Sequence, residues 1–263
     1  MNRGKNTYRL NRGAALACRA AGCYTKEKSR LGGAGGKSMF TGFTQETVDF
    51  MWGLRFNNEK SWFEAHREEF QRSLNEPMKA LCDDIFAALD GEYPELGLRH
   101  KVSRIYRDAR RLHGAGPYRD HLWCSFEQPT EEFAAAPVFW FELSPDSWSY
   151  GMGYYCAKAV TMAKHRARID RDPKPLKKLQ KLLDGQSEFV LEGPTYARAK
   201  PCAEKTLTDW YNKKNFSIYH EEKLAEEIYS PVLEERLLAG YRFLIPFYRY
   251  FMTLDGDADP REA

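Results

Sequence analysis

No long apolar run, no metal-ligand spacing and no complete phosphate-binding glycine loop occurs in this chain of 263 residues. No stretch approaches the roughly 20 apolar residues of a membrane-crossing helix, so no membrane association is expected. Between residues 39 and 263 the cysteines are Cys82, Cys124, Cys156 and Cys202, with no C-x-x-C among them. They read as buried thiols in a reducing compartment, with no metal and no disulfide framework. Gly151-Met152-Gly153 lacks the third glycine of a dinucleotide loop, so no cofactor is expected. No serine or cysteine stands in a recognisable nucleophile turn. Cys124 reads as core rather than as a reactive group, and His66 and His165 as packing or surface residues rather than as ligands.

A basic surplus is missing too, once the chain is divided. Residues 1 to 38 hold nine Lys/Arg against Glu27 alone, a surplus of eight where the whole chain has +3, so residues 39 to 263 carry −5. The body is mildly acidic, which argues against nucleic acid as a partner. The clusters Lys174-Pro175-Leu176-Lys177-Lys178 and Asn212-Lys213-Lys214-Asn215 read as solvated faces. Residues 1–38 are Gly- and Arg-rich, and their one apolar run, Ala14–Ala17, is too short for a secretory core. Gly35-Gly36-Lys37-Ser38 would be encoded by purine-rich codons suited to a ribosome-binding sequence before Met39. The expected organisation is therefore a disordered basic leader over 1–38, a translated upstream segment, then a single domain over 39–256 and a disordered tail over 257–263.

Within that domain helical periodicity comes first. Thr44 is placed to cap a helix carrying Val48, Phe50, Met51 and Leu54, and Asn58 to cap the next, through Trp62, Phe63, His66, Phe70 and Leu74. Pro77 restarts a third through Leu81, Ile85 and Leu89, which Gly91 closes. Strand signals follow at 101–108, 121–127, 138–143 and 148–156, the glycines of the last implying a bulge or a close backbone approach. Helical pattern returns at 157–169 and 175–183, short strands at 189–191 and 216–219, then helices at 221–229 and from 231 onward, broken or kinked at Pro246. Strands grouped between two sets of helices predict an α+β fold with a central antiparallel sheet, flanked by N-terminal and C-terminal helices. The aromatics Phe139-Trp140-Phe141 and Tyr154-Tyr155 read as sheet core rather than as a base-stacking platform.

The densest chemistry is at Arg104-Ile105-Tyr106-Arg107-Asp108-Ala109-Arg110-Arg111, running on to Gly116-Pro117-Tyr118-Arg119-Asp120-His121. On a strand, side chains alternate, so Arg104, Tyr106, Asp108 and Arg110 would share a face and Arg107 would point away unless the strand ends there. A turn at Gly114-Ala115-Gly116-Pro117 would bring Tyr118 and His121 back to the same place. Arg104, Arg107, Asp108, Arg110 and Tyr118 are thus the candidate ligand-binding residues. Cationic forks in surplus over carboxylates suit a phosphate or a carboxylate. Asp108 and His121 are the candidate catalytic residues, as orienter and base of a hydrolase or transferase acting on a phosphorylated substrate. A purely structural ion-pair motif in a protein-interaction module is the third reading.

The pattern Arg104-x-x-Arg107-Asp108-x-Arg110 followed by Pro117-Tyr118 resembles the signature of the domain of unknown function 2461 family, conserved hypothetical proteins found mainly in bacteria. Phe40-Thr41-Gly42-Phe43, Asn57-Asn58 with Trp62-Phe63, Gly151-x-Gly153 with Tyr155, and Arg166 fall in the family's order. The resemblance covers about residues 39 to 254. Arg111 stands where the family usually has Phe, and Gly114-Ala115 where an Asp/Asn-Lys pair usually precedes the Pro-Tyr. The resemblance implies a cytoplasmic bacterial protein and the same cluster, but no reaction, since the family has no established activity.

Overall fold

The structure, a computed structural model, describes residues 39–108, 110, 116–130 and 136–262. The expected leader over 1–38, Arg111 and the Gly114-Ala115 half of the expected turn lie outside the described residues.

Helices α1 (Gln45–Phe56) and α2 (Lys60–Ala65) come first. Two further turns, Arg67–Glu69 and the π-helical Phe70–Asn75, then run into α3 (Glu76–Glu92). Thr44 opens α1 as the sequence predicts: its backbone N–H donates to Thr47 Oγ1 at 3.1 Å, and Thr47 N to Thr44 O at 3.0 Å. Four strands follow, β1 (Arg99–Val102), β2 (Leu122–Glu127), β3 (Val138–Leu143) and β4 (Ser147–Gly153). Next come α4 (Ala159–Arg171), α5 (Lys174–Asp184), β5 (Val190–Glu192), α6 (Thr208–Asn212), β6 (Ser217–Lys223) and α7 (Val232–Met252). All neighbouring strands are antiparallel, in the order β1-β2-β3-β4-β6-β5. This is the α+β arrangement that the grouping of strand and helix signals predicts.

Alternation along the strands sorts the sheet into two faces. Cys124, Phe126, Phe139, Phe141, Trp148, Tyr150, Met152 and Ile218 form the buried one. Helix α3 lies against β1 and β2, and α7 against β4. These helices supply Met78, Leu81, Cys82, Ile85 and Leu89, and Leu237, Tyr241, Leu244 and Tyr248, all fully buried. The other face carries Trp123, Ser125, Trp140, Glu142, Ser149, Gly151, Tyr219 and Glu221, cross-strand neighbours in register. A Cβ on Gly151 would lie 2.3 Å from the Ile218 carbonyl oxygen, so the glycine marks the close approach of β6 to β4 and no bulge is needed.

Four expectations change. The strand expected over 101–108 ends at Val102, which removes the alternation argument for Arg104, Tyr106 and Asp108. The helix expected over 221–229 is instead the end of β6 plus a short turn, Glu226–Tyr229, because Glu221, Glu222 and Lys223 pair with Ser149, Trp148 and Ser147. Helix α7 runs through Pro246 to Met252, held by Ile245, Phe247, Tyr248 and Phe251 in the core. Finally, Cys82, Cys124 and Cys202 are free thiols, but Cys156 is disulfide-bonded, and none of those three is its partner.

Past α7 the chain turns back on α4. Arg168 donates to Asp257 Oδ2 at 2.7 Å, to Tyr250 O at 2.9 Å and to Thr253 O at 2.9 Å.

Candidate functional site: two arginines beside the exposed sheet face

After β1 the chain becomes one side of an arm. Ser103 N donates to Trp123 O at 2.7 Å. Beyond it Arg107 N donates to Pro117 O and Arg119 N to Ile105 O, each at 2.8 Å, on either side of the bridge between Tyr106 and Tyr118. Such a two-bond ladder is weak alone, and α1 and α2 reinforce it. Asn58 acts as a strand end made from a side chain: Tyr118 N donates to its Oδ1 at 2.9 Å and its Nδ2 donates to Tyr118 O at 3.0 Å. Asn58 therefore does not cap α2, whose N-cap is Glu59. A Cβ on Gly116 would fall 2.3 Å from Asn58 Cγ, so glycine is required where this amide passes.

Tyr118 is 2% exposed, its ring stacked on Phe63 at 4.2 Å and against Tyr106 at 5.2 Å. Burial, with Tyr106 and Glu64 nearby, pushes its hydroxyl up from the ordinary tyrosine range. What it offers Arg107 is its carbonyl oxygen, which accepts from Arg107 Nε at 2.6 Å.

Of the sequence-predicted residues, Arg107 and His121 come together, and Asp120 joins them. A terminal nitrogen of Arg107 lies 4.0 Å from Asp120 Oδ1, and His121 Nδ1 lies 3.1 Å from the same oxygen. The other oxygen accepts from Arg55 Nε at 2.5 Å, while Arg55 also reaches Asp146 at 2.5 Å and lies over the Trp52 ring at 4.7 Å. Burial pushes the Asp120 carboxyl up, but hydrogen bonds from His121 and Arg55 win and hold it well below the carboxylate range. Asp108 stands apart: its carboxylate accepts from Arg110 N at 3.1 Å, Nε at 3.2 Å and Nη2 at 3.3 Å, a pairing between residues two apart. The carboxylate at His121 is thus Asp120, not Asp108, because the early end of β1 carries Asp108 toward the tip of the arm. The Arg104 guanidinium is exposed and makes no bond among the described residues; its carbonyl serves the arm instead.

Sequence reasoning left Arg119 without a role. Its Nη1 donates to the carbonyl oxygens of Arg104 and Tyr106, both at 2.6 Å, and its guanidinium lies over the Trp123 ring at 5.0 Å. Among the described residues no carboxylate is within ion-pairing distance of it. Burial, then the charge of Arg107, holds its pKa below the ordinary arginine value, against a pull the other way from Tyr155. Across from Trp123 on β3, the half-buried Glu142 has its carboxyl pushed up by burial against the pull of His121, with Glu221 and Asp120 adding to the rise. Arg119 and Asp120 carried a signal in the sequence, their place directly after Pro117-Tyr118. Asn58 showed only as a helix cap and as part of the Asn57-Asn58 pair, and Arg55, on α1 far upstream, carried no signal.

A model of the DUF2461 family, conserved hypothetical proteins, matches residues 46–250. The chain belongs to this family. The match takes in every strand, the whole Arg107–Arg119 arm and nearly all of α7. None of the curated proteins matches the chain. DUF2461 is a domain of unknown function, so membership supplies no reaction, and what this member does has to be argued from its groups.

Among the described residues no group of three or more His, Cys, Asp or Glu side chains could hold a metal ion, and no described helix is long and apolar enough to cross a membrane.

Proposed function

We propose that this DUF2461 protein binds a small anion bearing a phosphate or carboxylate, between Arg107 and Arg119, with Arg104 at the rim. The observation that carries the reading is the pairing of like charges. Arg107 and Arg119 flank the same bridge between Tyr106 and Tyr118, and among the described residues the one carboxylate within 4.0 Å of either is Asp120, which Arg55 and His121 already hold. Arg107 spends its Nε–H on a backbone carbonyl and Arg119 spends both hydrogens of Nη1, and each guanidinium keeps other N–H groups for a second acceptor. Rigid forks of this kind match the oxygens of a carboxylate or phosphate. Trp123, under Arg119, offers an apolar wall for the rest of the ligand. A bacterial cytoplasmic setting accompanies this reading; the free thiols Cys82, Cys124 and Cys202 favour it, and the disulfide at Cys156 counts against it.

Titration calorimetry with inorganic phosphate, citrate and aspartate tests it. At least one should bind, and Arg119→Gln should weaken binding by about tenfold or more, the value of one charged hydrogen bond. Equal binding by wild type and Arg119→Gln overturns the reading.

A hydrolase or transferase acting on a phosphorylated substrate is the second reading, favoured by the contact of Asp120 with His121 Nδ1. Among the described residues nothing bonds to Nε2, which suits it to accept a proton. Turnover of a generic phosphomonoester that His121→Gln abolishes, with anion binding retained, supports this reading; absence of turnover with a panel of phosphomonoesters counts against it.

A further inference from the structure

Lys214 and Arg166, far apart in sequence, meet at one tyrosine. Tyr196 lies just after Gly193-Pro194-Thr195, in the loop that follows β5. The loop is fastened to the approach to β6, with Tyr196 N donating to Asn212 O at 3.1 Å, Lys214 N to Pro194 O at 2.7 Å and Lys200 N to Asn212 Oδ1 at 2.7 Å. Three cations surround the ring: the Arg166 guanidinium 5.2 Å, Lys200 Nζ 5.1 Å and Lys214 Nζ 5.6 Å from its centre.

Among the described residues none of the three forms an ion pair with a carboxylate. The acids nearby are engaged elsewhere. Asp170 accepts from the Tyr211 hydroxyl at 2.9 Å, and Asp209 pairs with Lys213 at 3.1 Å. Glu204 pairs with Lys177 at 2.9 Å. Lys213 and Lys214, adjacent in one basic cluster of the sequence, thus have opposite situations: Lys213 is buried against its own acid, and Lys214 is exposed over an aromatic ring. Cation–π attraction to the ring holds the three cations in place without any carboxylate. Arg166 Nη1 donates to the Tyr196 hydroxyl oxygen at 3.1 Å, which leaves the hydroxyl hydrogen to be donated onward.

We propose that Arg166, Tyr196, Lys200 and Lys214 form a binding site for a phosphate group, either inorganic phosphate or a small phosphomonoester. A guanidinium fork, a hydroxyl donor and two ammonium groups gathered around one ring match a dianion with several oxygens better than a single carboxylate. The site shares no residue with the Arg107–Arg119 pair and does not rest on that reading.

The test is a titration of the full chain with inorganic phosphate and, separately, with phenyl phosphate, at constant ionic strength, followed by calorimetry. Wild type should bind at least one of them in the millimolar range or tighter. The double variant Lys200→Gln/Lys214→Gln, at two exposed positions where folding is not at stake, should weaken that binding by about tenfold or more, and Lys200→Arg/Lys214→Arg should retain it. Arg119→Gln should leave this binding event in place, which separates failure here from failure at the other arginines. Tighter binding of phenyl phosphate than of phosphate indicates an ester ligand, and the reverse the free ion. No binding of either up to about 20 mM, or binding unchanged in the Gln double variant, overturns the proposal.

Discussion

His165 shows what one residue can do to the acid stability of this molecule. It lies on the inner side of α4, fully buried among Trp210, Phe216 and Phe251, and neither ring nitrogen has a side-chain partner. Burial, with Arg166 and Arg168 close by, pushes its pKa down to about 3. The folded chain therefore keeps this ring neutral, while the unfolded chain protonates it below about pH 6.5. Protons bind preferentially to the unfolded state in that window, so stability falls by about 1.4 kcal/mol for each pH unit below 6.5 until the folded value is reached. His165→Phe, which suits the aromatic surroundings, should flatten this limb: at about pH 4.5 it should melt higher than wild type, by an amount corresponding to about 2 kcal/mol. Thermal melts of both proteins at neutral and acid pH check this, and parallel profiles would refute it. Asp120 has the opposite sign. Its folded pKa is depressed, so its contribution is present above the unfolded carboxylate value, near 4, and is lost as pH falls through the folded one. Asp120→Asn should cost about 1–3 kcal/mol at neutral pH and progressively less as pH falls below about 4, as chemical denaturation at neutral and acid pH will show.

Between one element and the next, the arm from Ser103 to Asp120 depends on a helix for its shape. Asn58 replaces the strand that is missing beside Tyr118, and Phe63 of α2 supplies the ring beneath it. Removing the amide leaves a backbone N–H and a carbonyl without their partner in a half-buried place. Asn58→Ala should therefore destabilise by about 1–3 kcal/mol. It should also speed hydrogen exchange at Tyr118 and Arg119 well before it does so in β3, which mass spectrometry of exchanged peptides can resolve. Equal protection of the arm in both proteins would show that the ladder to Ile105 and Arg107 suffices. Elements were legible in the sequence where one periodicity acted alone. Val138–Leu143 is the strand that its aromatic run predicts, and the leucine spacing from Leu233 to Leu244 belongs to α7. Failures occur where a partner decides. Residues 221–223 look helical by composition but pair with β4, and 103–108 alternate like a strand but keep only a short ladder to Pro117 and Arg119 beyond the end of β1.

Over the whole molecule one core joins both ends of the chain. Phe40 and Phe43 at the start and Phe251 and Leu254 at the end are buried in the same cluster as the sheet, and α3 and α7 both pack on it and on each other. We expect residues 39–256 to unfold as one unit. Far-ultraviolet dichroism and tryptophan fluorescence should give coincident denaturant transitions, and two separated midpoints would mean that the helical layer and the sheet are independent bodies.

Composition and pattern by themselves determined the α+β class and the core faces of the main strands and helices. Each rests on periodicity or local residue type, which act over a few neighbouring positions. Tertiary structure alone decided which charges meet. It brought Arg55 to Asp120, Asn58 to Tyr118, and Arg166 and Lys214 to Tyr196, because Coulomb and hydrogen-bond partners are chosen by distance in space, and a sequence records only distance along the chain.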